Sequence, residues 1–220
     1  MNAPQKDSQE AFLHIGDTPV YFQEDWDTGI GGGLWSTGLA IARYLQHHPD
    51  HVIQLLNNTL GNEHELSLLE LGSGNGFLAV CFLALRRWKE LVITDMASHL
   101  PLIQKTLDAN VRLTAQSNVR VTQHKWGQFQ DSLKGKKFDV IIGSDVAYHP
   151  DLYDPLISSL LNFSHESTVA LIGVTMNDTK PVFFHKLKEA GFRYERLADW
   201  LMEPEFRGTT FGIFFISRKR

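Results

Sequence analysis

The stretch Leu66–Val80, LSLLELGSGNGFLAV, decides the fold. Its first half is a short apolar run of strand length that ends in glycine. Its second half opens a longer apolar run, FLAVCFLALRRW, of helix length. Between them Gly72, Gly74 and Gly76 allow a sharp turn in which backbone can approach a ligand closely. The helix that follows presents its first amides to that turn.

The same alternation continues downstream. LVITD predicts a strand ending at Asp95, and LPLIQKTLDANV a helix with Pro101 tolerable in its first turn. VRVTQHKW and FDVIIGSD predict two further strands. Leu152 to Asn162 reads as a helix, TVALIGVTM as a strand, and PVFFHKLKEAG as a helix closed by Gly191. Tyr194 to Leu201 and Phe211 to Arg218 read as a final pair of strands, antiparallel because no helix separates them. Upstream, FLHIGDTPVYFQED predicts a hairpin around Gly16-Asp17-Thr18. GIGGGLWSTGL is a glycine-rich loop entering a helix that Ser36 or Thr37 can cap, and His51 to Leu60 suits a second helix. The expected fold is α/β, a Rossmann-like, mostly parallel sheet with helices on both faces. Residues 1–10 are expected to be a mobile tail. The remainder, 11–220, is expected to be a single domain, with a hairpin and helical extension at 11–60 and a core at 66–220.

In such sheets ligands bind beyond the carboxyl ends of the strands. Asp95 stands there, where an acid can hold both hydroxyls of a ribose. The position after Gly76 is Phe77, where a dinucleotide fingerprint would place glycine or alanine. Glu70, just before the turn, would repel a phosphate and suit a cationic ligand with an amino group. An adenosine carrying a sulfonium and an amino acid tail, S-adenosylmethionine, meets both requirements. Asp145 also ends a strand on this face, with Tyr148 one step beyond. Asp145 could instead serve only as a helix cap, but HPDLY offers Asp151 for that task.

Composition narrows the alternatives. The 220 residues are 43% hydrophobic and 21% charged, with a net charge of -4. That suits one globular unit and is a poor electrostatic match to nucleic acid. A single cysteine, Cys81, permits no internal disulfide and suits a reducing, cytoplasmic setting. No apolar run has the length of a membrane span, and MNAPQKDSQEAF lacks the features of a secretory leader. Asn57, Asn162 and Asn177 are therefore read as chance glycosylation matches. His47-His48 is read as a surface pair, so no metal is expected. A monomer is the default.

GGGLWSTGLAIARYL, ELGSGNG, ITD, HKWG and GSDVAY together resemble the seven-β-strand methyltransferases. More narrowly, they resemble the protein-lysine methyltransferases that act on translation elongation factors and chaperones. The likeness spans Phe12 to the C-terminus. The glycine motif is generic, whereas Trp35, Trp126 and the DxxY of Asp145–Tyr148 point to the narrower group. The resemblance implies that Trp35 closes over the cofactor, that Gly72, Ser73 and Gly74 touch its methionine and ribose portions, and that Asp95 holds the ribose. It further implies that Trp126, ending the third strand, packs on adenine, that Ser144 sits beside the cofactor, and that Asp145 and Tyr148 stand at the methyl-transfer mouth. Trp26, Trp88 and Trp200 carry no such argument and are read as structural.

Methyl transfer to an amine needs its lone pair. A free lysine titrates near 10.4, so at pH 7 only about one in two thousand is neutral. A desolvating aromatic channel would reduce that deficit, and Tyr148 suits its wall. Asp145 can accept a hydrogen bond from the amine and aim its lone pair, while its charge would also hold the amine protonated. A catalytic, orienting role is therefore expected for it, with deprotonation to solvent before the transfer. A small-molecule N-methyltransferase and a catalytically inactive cofactor-binding module are the competing readings. A DNA adenine methyltransferase would want prolines where Val146 and Ala147 stand. The segment Glu203–Phe211 is expected to shape the mouth.

Overall fold

The computed structural model describes residues 10–61, 65–128 and 131–219. The tail expected to be mobile, residues 1–10, lies outside the described residues apart from Glu10. The hairpin pairs β1 (Leu13–Ile15) antiparallel with β2 (Thr18–Val20). Two 3₁₀ turns, Trp26–Thr28 and Ile30–Gly32, lead into α1 (Ser36–His47). Next comes α2 (Pro49–Leu60), with proline in its first turn, where a missing N–H is no loss. The alternating part then runs β3 (Ser67–Leu71), α3 (Phe77–Leu85), β4 (Glu90–Asp95), α4 (Leu100–Ala109) and the short α5 (Val111–Thr114). It continues with β5 (Val119–Gln123), β6 (Phe138–Ser144), α6 (Tyr153–Phe163), β7 (Ser164–Thr175) and α7 (Pro181–Glu189). The chain closes with β8 (Phe192–Arg196) and β9 (Phe211–Arg218).

Seven strands form one sheet in the order β5-β4-β3-β6-β7-β9-β8. Pairing is parallel from β5 to β7, and β9 inserts antiparallel between β7 and β8. The expected α/β architecture, with an antiparallel C-terminal pair, is the one observed. Side chains alternate across the sheet and supply two separate cores. Leu68, Ile93, Val140 and Ile142 point to one side, where α1 to α5 and the hairpin pack. Leu69, Val92, Ile141 and Ile172 point to the other, under α6 and α7. Because both faces are covered, the central strands read as continuous apolar runs. Helix α3 is apolar around its whole circumference, and Phe77 to Leu83 are all buried.

The order of the strands fixes where a ligand can sit. From β3 the chain builds outward through β4 and β5, then returns to the opposite side of β3 with β6. The crevice at that reversal lies between the turn after β3 and the residues after β6.

Several boundaries differ from expectation. β5 stops at Gln123, its last residue paired with β4, so Trp126 lies in the following loop and does not end the strand. The cause is His124, whose amide still donates to Asp95 O at 2.8 Å. Its ring turns inward, placing Nε2 3.0 Å from the Ser159 hydroxyl. β8 ends at Arg196, and Asp199–Leu201 is a 3₁₀ turn. Neither Ser36 nor Thr37 caps α1: the cap position is Trp35, without a side-chain cap bond. Asp151 is no cap either, since His149 Nδ1 accepts the Asp151 amide.

Candidate active site

The turn after β3 is built as its glycines require. Gly72, Gly74 and Gly76 have φ of 66°, 66° and 83°, the left-handed region that favours glycine. The first two also permit close approach. A Cβ on Gly72 would stand 2.6 Å from the Trp126 ring, and one on Gly74 would stand 2.9 Å from Gly31 O. Ser73 N donates to Thr94 O at 3.0 Å, and Ser73 Oγ accepts the Gly76 amide at 3.1 Å. Asn75, a residue the sequence reading passed over inside its own motif, ties the turn to the glycine-rich loop. Its Nδ2 donates to Gly33 O at 2.7 Å, and its Oδ1 accepts the Phe77 amide at 3.0 Å.

Asp95 closes one side of the turn. Its Oδ2 accepts the Gly74 amide at 2.7 Å, and its Oδ1 accepts the Met96 amide at 2.6 Å. His99 Nδ1 is 3.0 Å from the same Oδ1. The His99 ring lies so close to the glycine-rich loop that a Cβ on Gly31 would meet it at 2.3 Å. Glu70 closes the floor. It is 1% exposed, and Oε2 has no hydrogen-bond partner among the described residues. Burial pushes its pKa up to about 8, with the Asp95 charge adding to the rise and the Ser73 hydroxyl and Ala79 amide opposing it. Glu70, Gly72, Ser73, Gly74, Asp95 and Trp126 are thus brought together.

The other predicted residues gather at the end of β6. The Ser144 hydroxyl faces the first turn of α1, 3.2 Å from where a Cβ on Gly38 would stand. Asp145 is the one non-glycine residue with positive φ among the described residues, at 51°. Its Oδ2 accepts from both the amide and the hydroxyl of Thr37, at 3.0 and 2.8 Å, and its Oδ1 accepts the Thr175 hydroxyl at 2.8 Å. Burial raises its pKa, and the hydrogen bonds from Thr37 and Thr175 pull it back. The Asp145 amide bonds to Gly173 O at 2.9 Å and to Thr37 Oγ1 at 3.0 Å. Tyr148 is 55% exposed and Trp35 is 43% exposed. Trp26, read from sequence as structural, sits against the Gly33–Trp35 loop. It is 56% exposed, packs edge-on to Trp35 at 6.2 Å, and lies where a Cβ on Gly33 would fall. Trp88 is structural as expected: it is buried, with Nε1 donating to Phe82 O.

The Glu203–Phe211 segment is tied at its start to the opposite end of α1, where His47 Nε2 lies 2.7 Å from Glu203 Oε1. A cavity of about 210 Å³ lies there, between His47, His48, Trp200 and Arg207, away from the glycine turn. Near its end Thr210 O accepts the Met176 amide, next to Thr175.

These residues fit S-adenosylmethionine. The glycines let Trp126 and the glycine-rich loop close in on the turn, Oε2 of the buried Glu70 carboxyl has no protein partner among the described residues and could take an ammonium, and an acid stands at the end of β4. The profile of the lysine methyltransferase family matches residues 15–190. The chain belongs to that family, and is accordingly an enzyme that methylates lysine. It is 23% identical to the mouse protein N-lysine methyltransferase METTL21A, over 85% of this chain and 80% of that one. It is 22% identical to the Saccharomyces cerevisiae protein-lysine N-methyltransferase EFM6, with 80% of each chain covered. A solved ribosomal protein L11 methylase from Lactobacillus delbrueckii subsp. bulgaricus shares the fold, with a TM-score of 0.55 and 19% identity over 79% of this chain and 80% of that one.

Proposed function

We propose that the chain is a protein-lysine N-methyltransferase that uses S-adenosylmethionine, with a translation elongation factor or a chaperone as substrate. The observation that carries this reading is Glu70, a buried carboxyl whose Oε2 has no hydrogen-bond partner among the described residues, under a glycine turn at the point where the strand order reverses. A carboxyl there opposes phosphate and welcomes an ammonium, which separates this site from a dinucleotide site. When bound, the cofactor would supply a methyl group on a sulfonium. The protein's part is to hold and align, because proximity and orientation supply most of what such a transfer requires.

Each residue then has a task. Gly72, Ser73 and Gly74 cradle the amino acid and ribose portions, Asp95 holds the ribose hydroxyls, and Trp126 covers the adenine. Trp35 and Ser144 close the side toward α1. Tyr148 forms the wall of the acceptor's path, where the loss of water around a bound lysine would favour the neutral amine over the ammonium. A carboxylate touching that amine would do the opposite, and Asp145 already accepts three hydrogen bonds from the protein. The exposure of Trp35 and Tyr148, the two aromatics expected at the mouth, supports a lysine presented on a protein surface over an enclosed metabolite. No helix among the described residues is long and apolar enough to cross a membrane. A cytoplasmic setting agrees with the lone, buried Cys81.

The test uses methyl-tritiated S-adenosylmethionine, the purified chain, and an extract of cells lacking the endogenous enzyme. One discrete labelled protein band, mapped to lysine by mass spectrometry, is the expected result. Label confined to small molecules would favour metabolite methylation instead. No label, with cofactor still bound, would favour an inactive binding module.

A further inference from the structure

The aspartate of the DxxY segment is spent on the fold in a specific way. Thr37 is the second residue of α1, so its amide is among those that a helix leaves without an intrahelical partner. No side chain of α1's own neighbourhood caps it. Asp145, 108 positions away, does so instead and places a negative charge at the positive end of the helix. Its other oxygen holds Thr175, the last residue of β7. Three of the roughly four acceptor positions of the carboxylate are thereby filled from α1 and β7. The approach is backbone-close: a Cβ on Gly173 would stand 2.6 Å from Thr37 Oγ1.

Helix α1 begins where the glycine-rich loop ends. That loop rests on the cradle at its other end, through Asn75 Nδ2 on Gly33 O and the contact of Gly31 O with Gly74. The cover is thus fixed at two points, the cradle itself and the N-terminus of α1.

We infer that Asp145, Thr37 and Thr175 form a positioning clamp that holds the N-terminus of α1, and with it the Gly31–Trp35 cover, over the cofactor cradle. Asp145 acts through that helix and not on the acceptor amine. This resolves a conflict in the chemistry, since a carboxylate in contact with the amine would keep it protonated. Here the carboxylate is engaged by the N-terminus of α1 and two hydroxyls, and the mouth is left to Tyr148. The left-handed backbone at Asp145 belongs to the same device: it turns the chain so that the carboxylate faces back toward α1 while the segment runs on to Tyr148.

The inference rests on the proposed cofactor site, and the experiment separates the two. Thr37→Val, Thr37→Ser, Thr175→Val and Asp145→Asn are made in the full chain. S-adenosylhomocysteine affinity is measured by calorimetry, thermal midpoint by scanning, and transfer to extract by labelling. Losing a hydrogen bond to a charged group should weaken affinity about tenfold in Thr37→Val and in Thr175→Val. Thr37→Ser should restore it. Asp145→Asn, placed on the Thr37→Val/Thr175→Val background, should add little to the loss, because the three residues act as one unit. Unchanged affinity in folded Thr175→Val and Thr37→Val, or a lowered midpoint alone, would overturn the clamp. So would an Asp145→Asn defect in transfer that persists in full on that background. Should Thr37→Val fail to fold, Thr175→Val and Thr37→Ser carry the comparison. A wild-type chain that binds no S-adenosylhomocysteine would overturn the cofactor reading, and the clamp with it.

Discussion

In the proposed function, Glu70 connects fold and ligand through one side chain. Its carboxyl ionises near 4.5 in an unfolded chain and near 8 when buried in the folded one. Between those values the folded state holds a proton that the unfolded state has lost, so stability falls as pH rises through the window. At full ionisation the cost is roughly 4–5 kcal/mol by linkage. Glu70→Gln should flatten stability between pH 6.5 and 8, as read by urea denaturation at each pH. An ammonium placed against Oε2 lowers the carboxyl's pKa. Binding of S-adenosylhomocysteine at pH 7 should therefore release protons. The release would be seen as a dependence of the calorimetric heat on buffer ionisation enthalpy, and it should vanish in Glu70→Gln. The sequence disclosed that Glu70, the three glycines and Asp95 meet, because they belong to one turn and two neighbouring strands. It did not disclose the partners of Asp145. Thr37 and Thr175 reach it only through the packing of three elements, and nothing in the local sequence of any one of them announces it.

At the scale of elements, α1 docks through absent side chains. Gly38 lies against Ser144 and Gly173 lies beneath Thr37, so helix and sheet meet almost backbone to backbone. Gly173→Ala would put a Cβ 2.6 Å from Thr37 Oγ1. Overpacking of this kind costs about 1–3 kcal/mol, so the urea midpoint should fall, and cofactor affinity should fall with it. The loop after β5 depends on a different anchor. Ser159 Oγ accepts the Gly127 amide at 3.0 Å and meets His124 Nε2, so α6 sets the path of the chain around Trp126. The reading of VRVTQHKW as one strand missed this, because alternation does not reveal that the strand ends where the His124 ring fills a buried niche beside Phe163. Strands and helices with strong periodicity were legible. Their ends, set by contacts with other elements, were not.

For the whole molecule, two buried groups set opposite limits on stability. Burial lowers the pKa of His124 from 6.5 to about 4. Between those values the unfolded state binds the extra proton, so stability falls as pH drops through them. This rise with pH offsets the decline due to Glu70 between about 4.5 and 6.5. The two groups together predict a plateau there, a fall toward pH 8, and a fall below 4.5. Denaturation midpoints measured from pH 4 to 9 check the shape, and Glu70→Gln should remove the alkaline arm and turn the plateau into a rise with pH up to about 6.5.

The sheet order was legible only in class. Alternating strands and helices imply parallel pairing, but the insertion of β9 between β7 and β8 comes from their long-range register. That architecture puts the β3 turn, Asp95 and Asp145 on one edge, and the central claim is that this edge cradles the cofactor. The most direct test is calorimetric titration of S-adenosylhomocysteine into the wild-type chain and Gly74→Val, whose side chain would strain a φ of 66° and strike Gly31 O. The account predicts one-to-one binding by the wild type and its loss in a folded Gly74→Val. Equal binding by both, or none by the wild type, would contradict it.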